Sequence, residues 1–191
     1  MKTPAALLAL GLALAGCGVA TAPTSANQSA AVAPGPATSA PVPDLSLPAL
    51  TGRVVDRADL LTPPQEAGLT AQLAALEQRT TDQLFIVTTP SLEQRTIEQY
   101  GLALGRSWGI GQRGKDNGVL LIVAPAERKV RIEVGYGLEA ILSNARAQRI
   151  VDDVILPHFR QSRFPEGIQA GSEAIVAILI AHANEPRQRR S

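Results

Sequence analysis

The run Val119 to Ala124 contains no polar side chain. A run of that length bounded by turn residues is a strand covered on both faces, because one face open to water would show alternation. Gln83 to Thr89, with Leu84, Phe85, Ile86 and Val87, has the same character. Both strands therefore demand helices above and below them. Lys129 to Val134 differs: Val130, Ile132 and Val134 alternate with Lys129, Arg131 and Glu133. Only the turn Pro125-Ala126-Glu127-Arg128 separates it from the apolar run, so the two read as a hairpin, closed by Gly135-Tyr136-Gly137.

The remaining segments supply the helices. Thr62-Pro63-Pro64-Gln65 is a helix start, with threonine as cap, proline in the first turn and glutamine three residues after the cap. Leu69, Leu73 and Leu76 give that helix one apolar face as far as about Arg79. A second helix is expected from Thr96 to Trp108 on Ile97, Tyr100 and Leu104, broken by the glycine loop Gly109 to Gly114. Further helices are expected from Asn144 to Ile155 and from Pro165 to Ala183. Glu173 and modest length argue against the last as a membrane span. Arg53 to Asp56 is a short edge strand. The order predicts an α/β fold over residues 51–183: a three-layer α/β/α sandwich with a small mixed sheet of about four strands, including one hairpin.

Residues ahead of that domain read as an address. Lys2 and an apolar run from Ala5 to Leu14 make residues 1–16 a signal peptide. Leu14-Ala15-Gly16-Cys17 resembles the lipobox of bacterial lipoproteins, which implies cleavage before Cys17, its acylation, and, with Gly18 following, an outer-membrane anchor facing the periplasm. Residues 17–50 carry Pro23, Pro34, Pro36, Pro41, Pro43 and Pro48 among Ala, Ser and Thr, with Asp44 the only charge. Such a segment cannot bury enough apolar area to offset chain entropy, and at ~3 Å per residue it is a tether reaching ~100 Å. Residues 184–191, with Arg187, Arg189 and Arg190, form a basic tail that frays.

Composition removes several function classes. A net charge of +1 gives no basic surface for nucleic acid. The single cysteine excludes an internal disulfide and a cysteine-based zinc site. His158 and His182 are far apart; the first suits a helix end and the second an exposed tail. Ser107, Ser143 and Ser172 lack the glycine elbow of a nucleophilic serine, and the glycine pairs lack the full dinucleotide pattern. Trp108 reads as a core plug, and Asp152-Asp153 as a solvated helix side.

Three acidic clusters remain near strand ends: Asp56 with Asp59, Asp116-Asn117-Gly118, and Glu139 with Asn144 further on. Loop carboxylates and amides are the oxygen donors calcium and magnesium prefer, and ligands gather at the carboxyl ends of parallel strands. Each cluster is equally a turn former.

The strings Val54-Val55-Asp56-Arg57-Ala58-Asp59-Leu60-Leu61, Ser107-Trp108-Gly109-Ile110-Gly111, Asp116-Asn117-Gly118-Val119-Leu120-Leu121, Arg131 to Glu139 and Ile155-Leu156-Pro157-His158-Phe159-Arg160 together resemble the TPM domain family. Its members include bacterial envelope proteins, a plant thylakoid-lumen protein of photosystem repair and a nematode acetylcholine-receptor accessory protein. The resemblance implies an α/β/α sandwich and calcium held by acidic loops, matched here by Asp56, Asp116, Asn117 and Glu139; the plant member implies acid phosphatase activity. Two positions depart from the family: Asn144 stands for an aspartate, removing a charge from the cation site, and Asp82 stands for a glycine. Relatives often continue into a membrane helix, whose anchoring role the lipid on Cys17 is expected to fill here. The expectation is a non-enzymatic, lipid-anchored module that binds Ca2+ and an envelope protein. A metal-dependent acid phosphatase and a purely structural adaptor are the alternatives.

Overall fold

In the computed structural model, which describes residues 47–185, four strands lie side by side in chain order. They are β1 (Val54–Asp56), β2 (Gln83–Thr88), β3 (Gly118–Ala124) and β4 (Lys129–Val134). The expected leader, lipidated Cys17 and tail lie outside the described residues, as does the expected tether up to residue 46. The first three strands are parallel, with Val55 opposite Val87 and Ile86 opposite Leu121. β4 returns antiparallel on β3, Leu121 facing Ile132, so the expected hairpin and the mixed four-stranded sheet are both present.

The sheet is covered on both faces. Helices α1 (Pro63–Thr80) and α5 (Phe164–Ala183) pack on the face presented by Leu84, Ile86, Val119 and Leu121. Helix α2 (Ile97–Trp108) covers the other face, over Val87, Leu120 and Ile122. Every residue of β3 is buried, which is why its sequence carries no polar side chain. The crossovers through α1 and α2 step the same way across the sheet but lie on opposite faces, so they have opposite hands, and one departs from the usual right-handed rule.

Local chemistry sets the helix limits. The Thr62 N–H donates to Gln65 Oε1 at 2.8 Å. At α2, Gln99 N–H donates to Thr96 Oγ1 at 3.2 Å while Thr96 N–H donates to Gln99 Oε1 at 3.0 Å, a reciprocal cap. Gly109, at φ 61°, ends α2 in the left-handed conformation.

The helix expected over Asn144 to Ile155 is not uniform. It runs as α3 (Asn144–Arg149), widens into a π-helical stretch (Ile150–Ile155) and resumes as α4 (Leu156–Phe159). Pro157 is the physical reason: its ring collides with the carbonyl four residues back in an α-helix, and a wider turn relieves the clash. Gly171 of α5 lies against this stretch so closely that a Cβ there would sit 2.6 Å from the Ile155 side chain. By length and composition α5 could cross a membrane. Ile168, Ile175 and Leu179, however, are fully buried in the core.

Candidate functional site

In a parallel sheet a residue just before one strand and a residue just after another lie at opposite edges. Asp116 precedes β3 and Asp56 ends β1, so the structure separates them. Asp56 lies opposite Thr88, and Thr88 opposite Val123, five residues along β3 from Gly118. At ~3.3 Å per residue that is roughly 17 Å. β4 runs the other way, so the segment after it returns to the Asp116 edge. Asp116 and Glu139 thus line one groove, at the amino-terminal edge of the parallel strands rather than the carboxyl edge the sequence suggested.

Glycines build that groove. The Gly137 N–H donates to the Asp116 carbonyl at 3.1 Å, and the Gly135 N–H donates to the Gly118 carbonyl at 2.8 Å. A Cβ at Gly137 would lie 1.8 Å from the Lys115 carbonyl oxygen, and one at Gly135 would lie 2.2 Å from that of Asp116. Gly-Tyr-Gly is therefore a seat for the 115–116 backbone. The groove, about 410 Å³, runs between α2 and the 3-10 turn Tyr136–Leu138, over Leu120 and Ile110. Tyr136 (83% exposed) and Leu102 (46% exposed) are two of the large apolar side chains left in solvent, and both border it.

The charged side chains of the groove are Asp116, Glu133, Glu139 and Arg106. Glu133 Oε2 accepts from Arg131 Nε at 2.5 Å. The carboxylates of Asp116 and Glu139 have no hydrogen-bond or ion-pair partner among the described residues.

The other expected ligands are occupied or elsewhere. Asn117 is buried; its Oδ1 accepts from the Gln112 N–H at 2.9 Å, and its Nδ2 donates to the Thr81 carbonyl at 2.8 Å and to Asp82 Oδ1 at 3.2 Å. Both of its donor hydrogens are used internally. Asp56 Oδ2 accepts from the Leu61 N–H at 2.8 Å, and its Oδ1 accepts the Thr88 hydroxyl, so it closes the turn into α1. Asn144 begins α3 and faces a separate depression with Glu98, Arg131 and Gln148. An aspartate there would favour the helix amino terminus, which explains a carboxylate at this position without a metal.

Asp82 is the residue the sequence placed too loosely. It is buried beneath the Asp116 loop, and burial pushes its carboxyl above the ordinary range, against weaker opposing pulls from Asn117, Thr80, His182 and Lys115. Its chain neighbour Thr81, at φ 68°, is the left-handed cap of α1, and a polar pair at this junction was signalled only by the departure from glycine. His182 is half-exposed, 3.7 Å from Glu185. His158 is half-buried in the last turn of α4, and Trp108 is half-buried, edge-on to Phe85 with centroids 6.3 Å apart. Among the described residues, no three His, Cys, Asp or Glu side chains form a group able to hold a metal.

A three-layer sandwich with a glycine-seated groove at one sheet edge defines the class. Within it, the TPM domain family model matches residues 54–178, and the chain belongs to that family. Of solved structures, the N-terminal domain of a protein from P. gingivalis is 35% identical, with a TM-score of 0.66, over 70% of this chain and 85% of its own. The N-terminal domain of the cg2496 protein from Corynebacterium glutamicum shares the fold at 14% identity and TM-score 0.56, over 75% of this chain and 89% of its own. The BA42 protein from Bizionia argentinensis does so at 17% and 0.57, over 66% and 85%. Among curated proteins none matches by sequence.

Proposed function

We propose that this TPM-domain chain is a non-enzymatic accessory module of the bacterial cell envelope whose binding face is the acidic groove. The observation that carries this is the pairing of two partnerless carboxylates, Asp116 and Glu139, with the exposed Tyr136 and Leu102 around one concavity. Free carboxylates beside exposed apolar side chains suit a cationic, partly apolar segment of another protein. The same two carboxylates suit an open, largely hydrated calcium ion, since calcium takes six to eight oxygens and accepts water among them. A phosphatase needs more converging carboxylate than this groove offers, with Glu133 engaged by Arg131. Cys17, behind its apolar leader, would carry the lipid that holds the module at the outer membrane.

The test is a calcium titration of residues 42–191, followed by two-dimensional NMR and by melting temperature. Shifts confined to residues 109–118 and 135–139, with a rise in melting temperature lost in both Asp116→Ala and Glu139→Ala, support the reading. No response at millimolar calcium removes the cation from it. A photo-crosslinker at position 136 that captures no envelope protein in cells, or the same proteins as one at Asp153, removes the binding face.

A further inference from the structure

At the opposite edge of the sheet, where β3 turns into β4, a cavity of about 550 Å³ opens between that turn and the loop joining α4 to α5. This is the carboxyl edge of the parallel strands, where open α/β sheets place their ligands, and its volume lies within the ~300–1,000 Å³ range of small-molecule sites. Its floor is apolar: the buried end of β3 and the rings of Phe159 and Phe164, whose centroids are 4.9 Å apart. Its rim is cationic through Arg128 and Arg160, and no carboxylate lines it.

Arg128 and Arg160 have no ion pair or side-chain hydrogen bond among the described residues, whereas Arg53 and Arg131 do. Lys129, paired with Ala124 on the α2 side of the sheet, acts instead on Glu98. The acid nearest in sequence, Glu127, is drawn away, its Oε1 accepting the Leu92 N–H at 2.8 Å. Two non-glycine residues at the rim, Arg128 (φ 53°) and Ser162 (φ 59°), hold the left-handed conformation, which costs energy. Like charges held together over an apolar floor are the complement of an anion carrying an apolar body.

We propose that this cavity binds a small amphipathic anion, its acyl or aryl body against Phe159 and Phe164 and its carboxylate or phosphate head held by Arg128 and Arg160. The site is separate from the acidic groove and stands or falls independently of it.

The probes are octanoate and octyl phosphate, titrated below their micelle concentrations into residues 42–191, with octanol, octylammonium and inorganic phosphate as controls. Both alkyl anions are expected to shift amides of residues 123–129 and 159–164, and each control to bind at least about tenfold more weakly. Arg160→Glu and Arg128→Glu change exposed side chains and should each lower affinity about tenfold with the melting temperature unchanged. Octanol binding as well as octanoate, charge-reversed variants binding like the wild type, or shifts outside these residues would overturn the proposal. Vesicles with and without anionic phospholipid then separate the sources. Flotation with anionic vesicles that Arg160→Glu abolishes assigns the head to a lipid, and octanoate binding without flotation assigns it to a free acid.

Discussion

The Asn117 side-chain amide joins the start of β3 to the start of β2, donating to Asp82 Oδ1 at 3.2 Å while its oxygen accepts the Gln112 N–H at 2.9 Å. The acidic groove hangs from this bond set, because Asp116 is the next residue back along the chain. Asn117→Ala takes away the partner of the Gln112 N–H, of the Thr81 carbonyl and of the buried Asp82 carboxyl, at a cost of about 1–3 kcal/mol. Urea unfolding measures it. A change under about 0.5 kcal/mol would mean that water replaces the amide.

Asp82 itself predicts a pH dependence. Its carboxyl is raised from the ordinary 3.8, burial being the largest cause. A carboxyl raised in the folded state binds its proton more tightly there than in the unfolded chain. Below the unfolded value both states are protonated and the group is neutral to stability; as pH climbs through the folded value, ionisation subtracts from it. Asp82→Asn removes that loss and keeps an acceptor for Asn117. The variant should therefore melt above the wild type at neutral pH, with the difference vanishing near about pH 3. An advantage independent of pH would contradict the burial argument.

Much of the sheet is legible in the sequence because its chemistry is local. β4 reads as Lys129 to Val134 from alternation alone, and β3 from the absence of any polar side chain. Thr62 with Gln65, and Thr96 with Gln99, announce their helices by cap spacing. The groove is harder. Glu139 shares the groove of Asp116 only because β4 is antiparallel, and Asp56 is remote only because β1 and β3 are parallel, so strand direction decides which carboxylates line one groove. Asn117 reads as a ligand because its burial depends on the Thr81 and Gln112 backbone, which a string of residues does not display. The basic cavity is invisible there because Arg128 and Arg160 come from distant segments, with nothing in either to point to the other.

Two glycines should respond with opposite sign to alanine. Gly68 lies in the interior of α1, and a methyl group added there would meet nothing within 4 Å, so Gly68→Ala gains helix propensity, about 0.5–1 kcal/mol. At Gly137 the methyl would lie 1.8 Å from the Lys115 carbonyl oxygen, so Gly137→Ala must separate the turn from the Asp116 loop, costing about 2–3 kcal/mol. Denaturant midpoints give both. If Gly137→Ala were neutral, the seat for the 115–116 backbone would not be what holds the groove together.

The chain ahead of β1 is part of the fold from Leu47 onward. Trp108 Nε1 donates to the Pro48 carbonyl at 2.8 Å, and Leu47 packs against the cluster of Val87, Tyr100 and Leu104. The segment expected to be tether as far as Leu50 therefore ends in a clasp on the indole. Trp108 is the single tryptophan, so its fluorescence reports the clasp directly. A fragment beginning at Ala49 loses one hydrogen bond and part of a leucine's burial, about 1–2 kcal/mol beside a fragment beginning at Val42. Its emission should shift to the red and quench more readily with iodide while β1 to β4 stay intact by circular dichroism. Identical emission from the two fragments would show that Leu47 and Pro48 do not cover Trp108 in solution, and would return those residues to the tether.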